Sequence, residues 1–221
     1  MEIKEFLELM DDPDLISTGS SSAPVNTDFE IKPTDFLEFA ENDLMSDYSH
    51  KDINALSNGK RALDCQLDSL LVAFNLYSVA QRHRWSFPKK VEVVNDLGIV
   101  APRVLKKINK IRNLMEHEFA RPNSEQISDF IDIAALFFAA TDKYIYNLMY
   151  YSTFQIIRGR DSENWKFYCE GTIQLDLEKV IIDLALYKDG TRQEIQQIEV
   201  KNDDKDYIKL LAKYLTFAMK Y

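Results

Sequence analysis

The sequence predicts an α+β fold: a mainly α-helical antiparallel bundle followed by a small antiparallel β-sheet with a C-terminal helix. Three observations carry this reading. From Thr34 to Leu148, apolar residues recur at three- and four-residue steps. After Tyr150, Lys166 to Leu175, Val180 to Lys188 and Gln193 to Lys201 are rich in strand formers. Lys188-Asp189-Gly190-Thr191 reads as a two-residue hairpin turn. The chain divides into an N-terminal helix with a flexible acidic and Ser-rich linker (1–30), a helical bundle (31–150) and a sheet-plus-helix appendage (151–221).

Ile3, Phe6, Leu7, Leu9 and Met10 outline a short amphipathic helix, and Asp11 to Asp28 is polar enough to be a tether. A helix begins near Thr34 behind Pro33, with Phe36, Leu37, Phe39, Ala40 and Leu44 as its stripe. A long helix follows from Ser49, its N-cap, with a stripe from Ile53 to Phe74 and Tyr77. Gly59 interrupts it, and the position calls for a close approach by a neighbouring helix. Pro88 starts a short helix and Gly98 stops it; Ala101-Pro102 opens the next. Asn123 or Ser124 caps a further helix whose stripe, Ile127 through Ile145, runs to Leu148.

In the C-terminal third, a turn at Asp189-Gly190 sets Ile195 opposite Leu184. One extra residue at Gln196-Gln197 then sets Ile198 opposite Ile182 and Val200 opposite Val180, gathering the apolar residues on one face. Asp203 caps a last helix with Ile208, Leu211, Leu215 and Ala218 turned inward.

Of 221 residues, 46% are hydrophobic and 12% aromatic, enough for a substantial core. No apolar run reaches membrane-spanning length, and Met1 to Glu5 lacks the character of a signal peptide, so no membrane is expected. Cys65 and Cys169 are too few for a disulfide framework or zinc site, which fits a reducing cytoplasm. The net charge of −9 disfavours a polyanion as partner, but its distribution does not. Between Gln81 and Arg112 nine Lys and Arg face two acids, a local +7. Arg103, Lys106, Lys107 and Lys110 lead this block into the most informative stretch of the chain, with Lys60 and Arg61 as further candidate RNA contacts.

That stretch is Lys110-Ile111-Arg112-Asn113-Leu114-Met115-Glu116-His117-Glu118-Phe119. On a helix, Asn113 and His117 share a face, as do Arg112 and Glu116. Arg112 and His117 stand roughly 140° apart, so a second copy of the helix could bring both sets to one cleft. Arg-Asn, three residues, His, Glu and an aromatic resembles the motif of HEPN domains, and the flanking helices carrying Asn58 to Asp64 and Ala139 to Ile145 extend the resemblance over roughly 49–148. It implies metal-independent endoribonuclease activity without a cofactor, Arg112, Asn113, Glu116 and His117 as catalytic residues, a homodimer, and a toxin–antitoxin or antiviral-defence setting with a cognate antitoxin or defence-system protein. HEPN domains also include non-catalytic binding and assembly modules, which is the alternative reading. Toxins of the family paired with nucleotidyltransferase antitoxins carry Tyr two residues after the His; Phe119 stands there and has no hydroxyl to modify.

A second site is written into the sheet. With the bulge, Asp183, Glu199 and Lys201 share the face opposite the apolar one. Glu-Val-Lys ending a strand, with an upstream Asp, resembles the PD-(D/E)xK nuclease core, in which carboxylates hold a divalent cation. Alternating Glu and Lys on a solvent face is the plain alternative. His50 and His83 have no ligand spacing, and neither a Gly-rich phosphate loop nor a Gly-x-Ser-x-Gly elbow occurs. Trp85 and Phe87 sit amid basic residues, where they serve either packing or base stacking.

Overall fold

The computed structural model describes residues 1–99, 123–161, 164–188 and 191–220. Its helices are α1 (Ile3–Leu9), α2 (Pro33–Met45), α3 (Lys51–Ala73), α4 (Tyr77–Arg82), α5 (Phe87–Asp96), α6 (Ser124–Thr141), α7 (Lys143–Tyr146) and α8 (Tyr207–Ala218). Its strands are β1 (Leu15–Ala23), β2 (Leu148–Asp161), β3 (Asn164–Asp176), β4 (Lys179–Lys188) and β5 (Thr191–Lys201), in the spatial order β1-β2-β3-β4-β5 with antiparallel neighbours. The fold class is α+β, with a C-terminal helix after the sheet.

Helix α3 is central. Ala55, Leu56, Gly59, Ala62, Leu63, Gln66, Leu67, Leu70 and Leu71 are all buried. Asn58 Nδ2 donates to Asp43 near the end of α2, while Cys65 lies against the Ile31 carbonyl just before its start, so α2 runs antiparallel to α3. Helix α6 runs parallel to it: Ser124 meets Asp52, Phe130 meets Gly59, and Gln66 Nε2 donates to Thr141 Oγ1 at 2.8 Å. A Cβ on Gly59 would stand 3.0 Å from the Phe130 ring, so the expected close approach is made by α6.

Local chemistry sets the ends. Asp35 accepts from the Lys32 amide at the start of α2. Asn123 and Gln126 form a reciprocal capping box on α6. The cap position of α3 is His50 rather than Ser49. The stripe through Tyr77 belongs to two helices, because Asn75 turns to φ 58° and closes α3. The stripe expected to run to Leu148 likewise breaks at Asp142, and β2 starts where helix was expected to end.

The sheet has five strands, not the three expected. Residues 11–28, expected to be a flexible linker, hold the edge strand β1, which pairs Leu15 with Ile156 and Ala23 with Leu148. Serine and threonine suit an edge with one side in water; Thr18 and Thr153 join their hydroxyls across it at 2.8 Å. Between β4 and β5, Val180 faces Val200 and Ile182 faces Ile198, as expected. The irregularity that permits this lies between Leu186 and Tyr187, nearer the turn than expected, so Ile195 faces Ala185 rather than Leu184. The turn residues themselves lie outside the described residues.

One face of the sheet is apolar: Phe154, Ile156, Cys169, Ile173, Val180, Ile182, Leu184 and Val200 are buried. Helix α8 covers it with Tyr207, Leu210, Leu211, Tyr214, Leu215 and Phe217. Each such aliphatic or aromatic side chain contributes about 1.5–3 kcal/mol by leaving water. Helix α1 joins the same layer through Phe6, 6.1 Å from the Phe154 ring, and Asp11 pairs with Lys213 of α8. Asp203, expected to cap α8, lies ahead of it near Arg82 instead. A single buried cluster runs from these residues into the helical part across the boundary expected at 150. Polar contacts seal the junction: Asn75 Nδ2 donates to the Asp176 carbonyl, Asn202 Nδ2 to the Asn75 carbonyl at 2.7 Å, and Tyr207 Oη to the Phe74 carbonyl at 3.1 Å. Among the described residues no helix is long and apolar enough to cross a membrane.

Two outcomes follow from this packing. Gly171 lies under the Phe154 ring, and a Cβ there would sit 2.6 Å from Phe154 Cζ and 2.5 Å from the Asp183 carbonyl oxygen. Gly171→Ala should therefore lower stability by about 1–3 kcal/mol in urea titration; an unchanged midpoint would refute the overlap. Burial pushes the hydroxyls of Tyr207 and Tyr214 up to about 12. Their neutral forms are favoured in the fold, so this stability is whole below about pH 10, the ordinary tyrosine value, and is lost as pH rises towards 12. Absorbance titration should show Tyr207 and Tyr214 among the late-ionising tyrosines, together with alkaline unfolding.

Candidate functional site

The basic block does not remain a uniform positive surface where the structure describes it. Lys90 is half-buried and pairs with Asp68 at 2.6 Å. Lys89 pairs with Glu92 one helical turn away at 3.1 Å. Phe87 is buried, and Trp85 is partly buried and packs against the core. Arg82, His83 and Arg84 remain, consecutive and exposed; Arg82 Nη1 is 3.7 Å from an Asp203 carboxylate oxygen. Of the two candidates on α3, Lys60 is half-buried and partnered, while Arg61 is exposed and donates to Asn58 Oδ1 at 3.2 Å.

Arg103, Lys106, Lys107, Lys110, Arg112, Asn113, Glu116 and His117 lie outside the described residues. Their frame is described on both sides. Gly98, at φ 77°, ends the turn after α5, and Ile99 packs on the core. The chain is described again at Asn123, where α6 begins beside Asp52 at the start of α3.

The sheet candidates are described in full. Asp183, Glu199 and Lys201 share the open face, as the register required. Asp183 stands opposite Gln197 and Glu199 opposite Ile181, so the two carboxylates are diagonal. Gln197 Nε2 donates to Asp183 Oδ1 at 2.8 Å, and Lys179 Nζ to Glu199 Oε1 at 2.8 Å. That hydrogen bond raises the Lys179 ammonium above its ordinary value. Among the described residues no group of three or more His, Cys, Asp and Glu is arranged to hold a metal ion. A groove of about 330 Å³ opens beside Asp183, with Thr153, Glu170, Thr172 and Arg192 in its walls.

Neither cysteine is poised for chemistry. Burial, then Asp68, pushes the Cys65 thiol up to about 11; burial, then Glu170, does the same for Cys169. Sequence reasoning left out two arrangements because each depends on contacts between distant segments: the Asn75 and Asn202 junction, and the Ser152–Tyr214 hydroxyl pair at 3.0 Å inside the core. Exposed cationic spacing around Arg82 was visible, but not which cations would be neutralised.

No family model matches the chain, and no curated protein or solved structure gives a significant match to it.

The raised thiols give a direct test. Both thiols are held almost wholly protonated at about pH 7.5, so iodoacetamide should modify both cysteines far more slowly in the folded protein than in urea. Rapid native alkylation of Cys65 would contradict its environment.

Proposed function

We propose that this protein is a metal-independent endoribonuclease built on a HEPN-like helical bundle. The observation that carries the reading is the run Arg112-Asn113-Leu114-Met115-Glu116-His117, set in the chain between α5 and α6, the helix that lies parallel to α3. Cleavage begins with attack of a ribose 2′-oxygen on the adjacent phosphorus. His117 takes the 2′-hydroxyl proton or supplies one to the departing 5′-oxygen, because imidazole changes charge near neutral pH. Arg112 donates paired hydrogen bonds to the phosphoryl oxygens as charge builds on them. Asn113, four residues before His117, orients the imidazole or the phosphate; Glu116 holds Arg112. Two chains related by a twofold axis bring both sets to one cleft, and RNA enters along Arg103, Lys106, Lys107 and Lys110. The setting is the cytoplasm, with a cognate antitoxin or defence-system protein restraining the activity.

A second reading is favoured by the observed register, which puts Asp183, Glu199 and Lys201 on one open face. They would serve a metal-dependent nuclease only after Gln197 and Lys179 give up the carboxylates. Purified protein incubated with RNA or DNA, with and without chelator, separates the two. The motif reading expects RNA alone to be cut, in EDTA, leaving 2′,3′-cyclic phosphate and 5′-hydroxyl ends. His117→Ala should remove about 100- to 10,000-fold of the rate, and Glu199→Ala little. Loss of activity in EDTA with Glu199 essential would assign the chemistry to the sheet. RNA bound but uncut under all conditions would make the chain a binding module.

A further inference from the structure

The corner formed by Arg82, His83 and Arg84 carries an inference that rests on the ribonuclease reading and adds to it a place where RNA is held. Helix α4 ends in a Schellman turn: the Trp85 amide donates to the Ala80 carbonyl at 2.9 Å and the Arg84 amide to the Gln81 carbonyl at 3.2 Å. The residue between, Arg84, is left-handed at φ 51°. Glycine adopts that conformation without strain, and arginine does not. Trp85 then turns back against the core, which fixes the corner.

Helix α3 ends the same way, with Leu76 donating to Leu71 and Asn75 to Val72. There the left-handed residue is Asn75, a type that tolerates the conformation, and its side chain ties the helix to the Asp176 carbonyl. Arg84 makes no such use of its side chain. That side chain is exposed and makes no hydrogen bond or ion pair among the described residues, and the same holds for the side chain of His83. Attraction of cations to a helix C-terminus accounts for Arg82 but not for arginine at a position glycine fills more cheaply.

We infer that Arg84, with Arg82 and His83 beside it, is a contact for the phosphate backbone of single-stranded RNA. Arg84 offers a planar fork of donors with no competing acceptor among the described residues. Arg82 shares Asp203 only loosely, at 3.7 Å with both side chains more than half exposed, so a phosphate displaces that carboxylate readily. The local partner is polyanionic although the whole chain is acidic.

The test measures binding of a fluorescein-labelled oligouridylate by anisotropy over a salt series, in the His117→Ala background so that no RNA is cut, alongside thermal melting. Arg84→Gly should keep or raise the melting midpoint, weaken binding roughly threefold or more, and flatten the log–log salt slope by about 0.7, the value for one phosphate on a single strand. Arg84→Asn, which also suits the left-handed turn, should do the same. Binding and slope equal to those of the parent overturn the corner alone. Weaker binding accompanied by a lower midpoint in both variants also overturns it, because arginine would then be structural. No binding by the parent at low salt overturns both the corner and the RNA reading.

Discussion

Everything in the described fold is arranged by the burial of α3 on several sides at once. Ala55, Gly59 and Ala62 leave room for neighbouring helices, while Leu63, Leu67, Leu70 and Leu71 supply apolar volume farther along. The small residues decide how close α6 can come, and the Phe130 ring over Gly59 fills the space that a side chain would take. Gln66 is the one long polar side chain among the buried residues of α3, and its amide nitrogen donates to Thr141 and Asp142 as α6 ends. A buried amide left without acceptors would cost about 1–3 kcal/mol, so this pair fixes the longitudinal position of α6 against α3.

The C-terminal end of α3 transmits that order to the sheet. Asn75 closes the helix and bonds β3, Asn202 reaches back to Asn75, and Tyr207 caps the Phe74 carbonyl. These contacts join backbone groups that the end of a helix would otherwise leave to water. The sheet needs this attachment. Its inner face is apolar, its outer face polar, and α8 with α1 covers the inner one. Without them a large hydrophobic surface would be open. Helical part and sheet therefore share one core, and a substitution under the sheet, such as at Gly171, reaches the stability of the whole molecule.

The sequence was most legible where backbone chemistry is local. Pro33, Pro88, Gly98 and Asn123, one of the two caps the sequence offered for α6, mark helix ends because each acts on the turn it occupies. The pairing of Val180 with Val200 and of Ile182 with Ile198 was also legible, since only that register puts the apolar residues on one side. The edge strand β1 was not, because Ser20-Ser21-Ser22 has no apolar alternation and takes its strand conformation from β2. Nor was the break at Asp142: Tyr144, Ile145 and Leu148 keep helical spacing while belonging to a short helix and a strand. Spacing cannot distinguish these when both conformations bury the same side chains. For the candidate sites, spacing was enough to put Asp183, Glu199 and Lys201 on one face, but not to foresee that Gln197 and Lys179 would occupy both carboxylates.

Charge is partitioned by the same principle. A count of nine cations in a block overstates the field that a ligand meets, because Lys89 and Lys90 are spent on Glu92 and Asp68. The chain's −9 acts at long range, but at physiological ionic strength the Debye length is about 8 Å. Inside that distance the nearest charges dominate. At the Arg82–Arg84 corner, Arg82 lines a groove with Lys179 and Lys201 as well as Asp176, Glu178 and Asp203, while the exposed Arg84 side chain has no ion pair among the described residues. An acidic protein can thus hold a polyanion where unneutralised cations converge and repel it elsewhere. Such an arrangement would favour contact at one place over sliding across the surface, which is what the proposed ribonuclease requires.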